Sequence, residues 1–154
     1  MKNILITGAL GQIGSELAEA LRERYGKEHV VITDVRDDIN RELIESGPFE
    51  LLDCRDGEAL SELVEKNNID TIYHLAALLS AVAEAKPQAA WDVNINGLYT
   101  VLEVAREKGC AVFTPSSIGS FGPTTIKDFT PQDAPQRPTS MYGVTKVSGE
   151  LLCD

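Results

Sequence analysis

The chain has 154 residues, 43% of them hydrophobic, and a formal net charge of −10. That is enough for one ordinary domain with a real core, and it excludes disordered and fibrous classes. The charge argues against nucleic acid or an anionic membrane as partner, and no apolar run approaches membrane-spanning length.

From the start, Ile4-Leu5-Ile6 reads as a strand and Thr7-Gly8-Ala9-Leu10-Gly11-Gln12-Ile13-Gly14 as a tight glycine turn opening a helix. Lys2 before this short run does not make a signal peptide, because the run stops at Gly8 and no cleavage pattern follows. Backbone N–H groups at a helix start point at an anion, and the helix dipole favours negative charge there, so the junction suits a pyrophosphate. Gly8 can supply the unusual angles of the turn, Gly11 lets phosphates come close, and Gly14 lets the helix lie against the sheet. Residues 12–25 carry Ile13, Leu17, Ala20, Leu21 and Tyr25 at helical spacing.

A second strand, about 29–34, ends in Asp34 about 20 residues past the turn. An acid there can accept both ribose hydroxyls of adenosine and would repel a 2′-phosphate, which favours NAD over NADP. Arg36 is a counter-signal, since a nearby cation could accommodate a phosphate; Asp37 and Asp38 weaken that option. The alternative for Asp34 is a solvated strand end.

Residues 35–48 are polar, hold Gly47-Pro48 and read as an irregular connection. Phe49-Glu50-Leu51-Leu52-Asp53 is a short third strand, and 56–67 an amphipathic helix with Leu60, Leu63 and Val64 inward. A fourth strand covers 69–76. A helix over 88–108 carries Trp91, Val93, Ile95, Leu98, Val101, Leu102 and Ala105. A fifth strand covers 111–116, and 118–138, rich in Gly, Pro and Thr, is a long loop. Helical character returns near Ser140 and runs to the end. This alternation predicts a parallel sheet with right-handed crossovers and helices on both faces. A ligand would sit beyond the carboxyl ends of the strands, where the strand order reverses. The glycine turn, Asp34, Asp53, Leu75-Ala76-Ala77 and Ser116-Ser117 all fall at such ends.

Near the end, Tyr142 and Lys146 stand at i and i+4, one turn apart on one helix face. The Lys146 ammonium would favour phenolate over phenol at Tyr142, and a phenolate is the base needed to take a proton from an alcohol while hydride leaves its carbon. Ser117, just after the fifth strand, could hydrogen-bond the same oxygen. The alternative is a helical surface pair. His74, in an apolar strand, reads as a packed, hydrogen-bonded core residue, His29 as a surface residue and Trp91 as a packing residue. Asp34, Asp37 and Asp38 lack the spacing of a metal site, and no G-x-S-x-G elbow supports a hydrolase triad. Cys54, Cys110 and Cys153 are odd in number and form no C-x-x-C, which points to neither a disulfide framework nor zinc, and to a reducing, cytoplasmic compartment.

Gly8-x-x-Gly11-x-x-Gly14, Asp34, Asp53, His74-Leu75-Ala76-Ala77, Asn94-x-x-Gly97, Ser116-Ser117 and Tyr142-x-x-x-Lys146 occur in one order over nearly the whole chain. Together they resemble the N-terminal part of an extended short-chain dehydrogenase/reductase. The resemblance implies an α/β, Rossmann-type doubly wound parallel sheet, with 1–154 as one NAD-binding domain. Members of that family are longer, so it also implies truncation before the last strands and the substrate-binding part. It implies NAD as cofactor, bound by Gly8, Gly11, Gln12, Ile13, Gly14 and Asp34. Asp53 with the Cys54 backbone would hold the adenine, and Leu75, Ala76 and Ala77 would line the cofactor. Ser116, Tyr142 and Lys146 would also touch it, and Asn94 would support the proton path. Ser117, Tyr142 and Lys146 would be the catalytic set, no metal is implied, and the longer parent would be a homodimer.

The turn Gly11-Gln12-Ile13-Gly14, Ala77-Leu78-Leu79-Ser80, Pro115-Ser116-Ser117-Ile118-Gly119-Ser120-Phe121-Gly122-Pro123 and the stretch from Arg137 to Lys146 resemble more narrowly the short-chain type of L-threonine 3-dehydrogenase. That implies threonine catabolism: oxidation of the L-threonine hydroxyl to 2-amino-3-ketobutyrate by NAD, with Ser80, Ser117 and Tyr142 on the substrate. The alternative for Ser80 is a capping serine. Competing readings are a nucleotide-sugar epimerase or dehydratase of the same family and a non-catalytic NAD-binding module.

Overall fold

The computed structural model describes residues 2–154. In chain order the elements are β1 (Ile4–Thr7), α1 (Gln12–Tyr25), β2 (Val30–Asp34), α2 (Arg41–Glu45), β3 (Phe49–Leu51), α3 (Gly57–Lys66), β4 (Thr71–His74), α4 (Ser80–Ala85), α5 (Pro87–Trp91), α6 (Gly97–Lys108), β5 (Ala111–Phe113) and α7 (Met141–Cys153). They fall into two compact units. One holds the residues up to Ala76 with Gly97–Pro115; the other holds Ala77–Asn96 with Ser116–Asp154.

The first unit is the sheet. All strands are parallel, in the order β3-β2-β1-β4-β5. Chain direction across the sheet reverses at β1, with β2 on one side and β4 on the other, so the switch point lies between β1 and β4. The central strand is fully buried along its length, which is why Ile-Leu-Ile reads as a continuous apolar run rather than an alternating one. Alternation instead sorts side chains between two cores. Ile4, Ile6, Val30 and Ile32 pack with Ala18, Leu21 and Leu43 beneath α1 and α2. Leu5, Val31 and Ile72 pack with Leu60, Leu63, Val64, Val101 and Ala105 beneath α3 and α6. Each large aliphatic side chain buried this way contributes about 1.5–3 kcal/mol. This is the expected doubly wound Rossmann-type sheet.

Several expected details differ. The connection over 35–48 contains α2, started by Asn40 in a left-handed conformation whose Oδ1 accepts from Leu43 N–H at 3.3 Å. Strands three, four and five are shorter than their apolar runs, because pairing stops at Leu51, His74 and Phe113 while the chain turns away. On α1, Ile13 and Ala20 are exposed; the buried stripe is Gly14, Ala18, Leu21 and Arg22.

In the second unit, α4 was not foreseen: it spans six residues and buries only Ala83, too little to show a period. The expected helix over 88–108 is interrupted by a π-helical turn, Asp92–Asn96. The extra residue in that turn breaks the 3.6-residue pattern. Trp91, expected to pack, is 44% exposed. Helix α7 packs against α4 and α5. Between a 3₁₀ turn at Ile118–Ser120 and Ser140 the chain is a long loop.

Candidate functional site

In the sheet unit the glycine turn follows β1 directly. Gly8 has φ of +69°, and a Cβ there would meet the Ala76 N and Cα at 2.6 Å, so the tips of β1 and β4 close on each other without room for a side chain. Gly14 presses on the turn itself, since its Cβ would meet Gly8 O at 2.6 Å and Ala9 Cα at 2.7 Å. Gly11 faces more open space, its Cβ meeting only Gly8 O at 3.3 Å. Gly11 also caps α1 with no side-chain acceptor. The result is a cradle of bare backbone at a 14-residue helix start, which fits a pyrophosphate. Gln12 and Ile13 stand exposed on that first turn.

Asp34 closes β2. It is 4% exposed, so it is no solvated strand end. Its Oδ2 accepts from Leu10 N–H at 3.0 Å, tying β2 to the glycine turn. Its Oδ1 accepts from Arg36 N–H at 3.2 Å and Arg36 Nε at 3.1 Å. That bond holds the Arg36 guanidinium above its ordinary range. Asp53, two residues past β3, is clasped by Arg55 from Nε at 3.0 Å and Nη2 at 2.5 Å, and this bonding lowers its carboxyl below the ordinary range. Cys54 is buried; a Cβ on Gly97 would come within 2.9 Å of its Sγ, so that glycine admits the thiol. Leu75 and Ala76 follow β4 and pack on opposite faces of the sheet. His74 is buried with its Nδ1 2.8 Å from Thr7 Oγ1, as expected of a core residue. His29 is exposed.

In the second unit, Ser140 caps α7, accepting from Gly143 N–H at 3.0 Å, and Glu84 Oε1 accepts from Met141 N–H at 2.5 Å. A carboxylate at that end suits the helix dipole. Lys146 lies with its Nζ 5.5 Å from the Tyr142 ring centroid, and burial pushes its ammonium below the ordinary lysine range. Ser117 Oγ accepts from Gly119 N–H at 3.1 Å, starting the 3₁₀ turn. A Cβ on Gly119 would lie 3.4 Å from Ser117 Oγ and 3.5 Å from Tyr142 Cδ1, so hydroxyl and phenol ring border one spot. Gly143 packs onto Gly119 O and Pro138, where a Cβ would collide. These two glycines bring Ser117, Tyr142 and Lys146 together. Both glycines lie within the motifs quoted above, Gly143 next to Tyr142 and Gly119 two residues past Ser117, but their packing role is not legible from that spacing.

The remaining candidates are placed differently. Asn94, on the π turn, is buried; its Oδ1 accepts from Leu78 N–H at 2.7 Å, and its Nδ2 donates to Leu78 O at 3.0 Å and Thr145 Oγ1 at 3.1 Å. It fixes the backbone at Leu78 and the middle of α7. Ser116 Oγ donates to Glu150, whose other oxygen accepts from Gln136 Nε2 at 2.7 Å. Ser116, Ser117, Phe121, Lys127 and Glu150 border an open hollow of about 1040 Å³. Ser80 is exposed and is not a capping serine, because Leu79 holds the cap position. Ala77, three residues before α4, is half-buried. Among the described residues no group of three His, Cys, Asp or Glu could hold a metal ion, and no helix is long and apolar enough to cross a membrane.

Residues 4–154 match the family model described as the NAD dependent epimerase/dehydratase family. An uncharacterized epimerase/dehydratase of Staphylococcus saprophyticus is 57% identical over 153 residues, 99% of this chain and 48% of that protein. Among solved structures, L-threonine dehydrogenase of Clostridium difficile is 57% identical with a TM-score of 0.97, covering 100% of this chain and 48% of that one. UDP-glucose 4-epimerase of Thermotoga maritima, solved with UDP-glucose, is 28% identical with a TM-score of 0.87, covering 98% of this chain and 50% of that one. The chain thus spans about half the length of the curated relatives it matches.

Proposed function

We propose, because the chain belongs to the NAD-dependent epimerase/dehydratase family, that it carries the NAD site and the catalytic set of an L-threonine 3-dehydrogenase. The observation that carries the substrate choice is the 57% identity, across the whole chain, to the Clostridium difficile L-threonine dehydrogenase, against 28% to the UDP-glucose epimerase. The bare glycine turn supports binding of the cofactor's pyrophosphate, and Asp34 supports binding of its adenosine ribose. Bound NAD would supply the hydride acceptor.

The chain's own residues would do the rest. The Lys146 ammonium lies 5.5 Å from the Tyr142 ring centroid, a cation beside the phenol. Tyr142 takes the proton of the threonine hydroxyl, and Ser117 donates a hydrogen bond to that oxygen. Asn94 holds α7 in place by its bond to Thr145, whose hydroxyl donates to Tyr142 O at 2.8 Å. The epimerase reading keeps the same set, since nucleotide-sugar epimerases begin with the same oxidation; the Thermotoga maritima match supports it as the second choice.

The test supplies NAD with L-threonine in one arm and a UDP-sugar in the other. NADH accumulation with L-threonine, abolished by Tyr142→Phe, is the expected result. Conversion of the UDP-sugar with no response to threonine would transfer the assignment to the epimerases, and undiminished activity in Tyr142→Phe would remove Tyr142 from the mechanism.

A further inference from the structure

Asp34, the carboxylate assigned to the adenosine ribose, is not open to a ligand. It is 4% exposed, and the half-exposed side chain of Arg36 lies on it. Leu10 N–H donates to Oδ2 at 3.0 Å, while Arg36 gives its main-chain N–H and Nε to Oδ1 and reaches Oδ2 with Nη2 at 3.5 Å. An ionised carboxylate offers about four acceptor sites. These donors already fill them, and ribose would bring two more hydroxyl donors. The two main-chain donors belong to the turn and the strand end. The guanidinium is the donor that can leave, because its side chain is half in water and its ion pair is made only two residues away.

We infer that Arg36 is a displaceable latch on Asp34: a nucleotide takes the carboxylate positions that the guanidinium holds, and binding breaks that pair first. The inference rests on the NAD reading above. A partly exposed pair of this kind lowers nucleotide affinity by about two- to fivefold. Salt that screens the pair narrows the difference. The latch also keeps the buried carboxylate paired while the ribose site is empty, which an unpartnered Asp34 would not be.

Calorimetric titration of the chain with adenosine 5′-monophosphate, as wild type and as Arg36→Met, tests the latch. The expected result is two- to fivefold tighter binding by the variant. Nuclear magnetic resonance of the Arg36 Nε–H in the wild type gives a second readout, whose signal should move as the nucleotide saturates. If the nucleotide binds but Arg36→Met binds it equally or more weakly, or the Nε–H signal stays fixed, the latch is wrong and the NAD reading stands. If neither protein binds the nucleotide, both fall.

Discussion

Gly8 and Gly109 have nearly the same backbone conformation, φ +69° and +73°, but very different surroundings. A Cβ on Gly109 meets nothing within 4 Å; one on Gly8 meets Ala76 N and Cα at 2.6 Å and Leu75 C at 2.9 Å. An L-residue in the left-handed region costs about 1–2 kcal/mol, and Gly109→Ala should lose that much. Gly8→Ala loses the same plus the separation of two strand tips. Ordinary contact begins at 3.4 Å, so Ala76 must retreat by about 0.8 Å, an overpacking worth about 1–3 kcal/mol more. Urea unfolding of the two variants reads the difference, and it should come to about 2–5 kcal/mol lost for Gly8→Ala against 1–2 for Gly109→Ala. NAD affinity should fall only in Gly8→Ala. Equal losses of stability would refute the close approach of β1 and β4 as the reason for glycine at this position.

Two further outcomes follow from a buried and a half-buried cation. Arg22 is 7% exposed, with Nη1 donating to Leu43 O at 2.7 Å and Nη2 to Pro48 O at 2.9 Å; Arg22→Met should lose about 2–4 kcal/mol in urea unfolding, and Arg22→Lys should not restore it, because one ammonium lacks the fork that spans both carbonyls. Lys146, lowered by burial, binds its proton less tightly in the folded chain than at its ordinary 10.5 when unfolded. The unfolded state therefore holds more protons in the window below 10.5, and stability rises with pH there. Lys146→Met should be more stable than the wild type at neutral pH, with the gap closing as pH approaches 10.5; a gap independent of pH would deny the burial penalty.

The parallel sheet was legible because buried parallel strands are continuous apolar runs and the glycine turn marks the first crossover; the strand order came only with the structure. Asp34 was legible by its distance from that turn, but its cover was not. Arg36 and Asp34 are two residues apart, and sequence alone cannot tell whether an arginine so near a carboxylate awaits a phosphate or grips the acid. Tyr142, Lys146 and Ser117 were readable as a constellation; that Gly119 and Gly143 bring them together was not, since close approach is a property of three dimensions. Asn94 was expected near the chemistry. Its grip on Leu78 depends on the π turn, which no 3.6-residue periodicity can announce. Helix α4 was missed because six residues with one buried alanine carry almost no pattern.

The π turn has a consequence for how this chain tolerates insertion and loss. Deleting Val93 would relax the segment into a regular helix and swing the Asn94 carboxamide about 100° away from Leu78. The number of residues between Pro87 and Gly97 is therefore constrained as tightly as their identity. A homologue one residue shorter there could not keep both a regular α6 and the Asn94 bonds to Leu78.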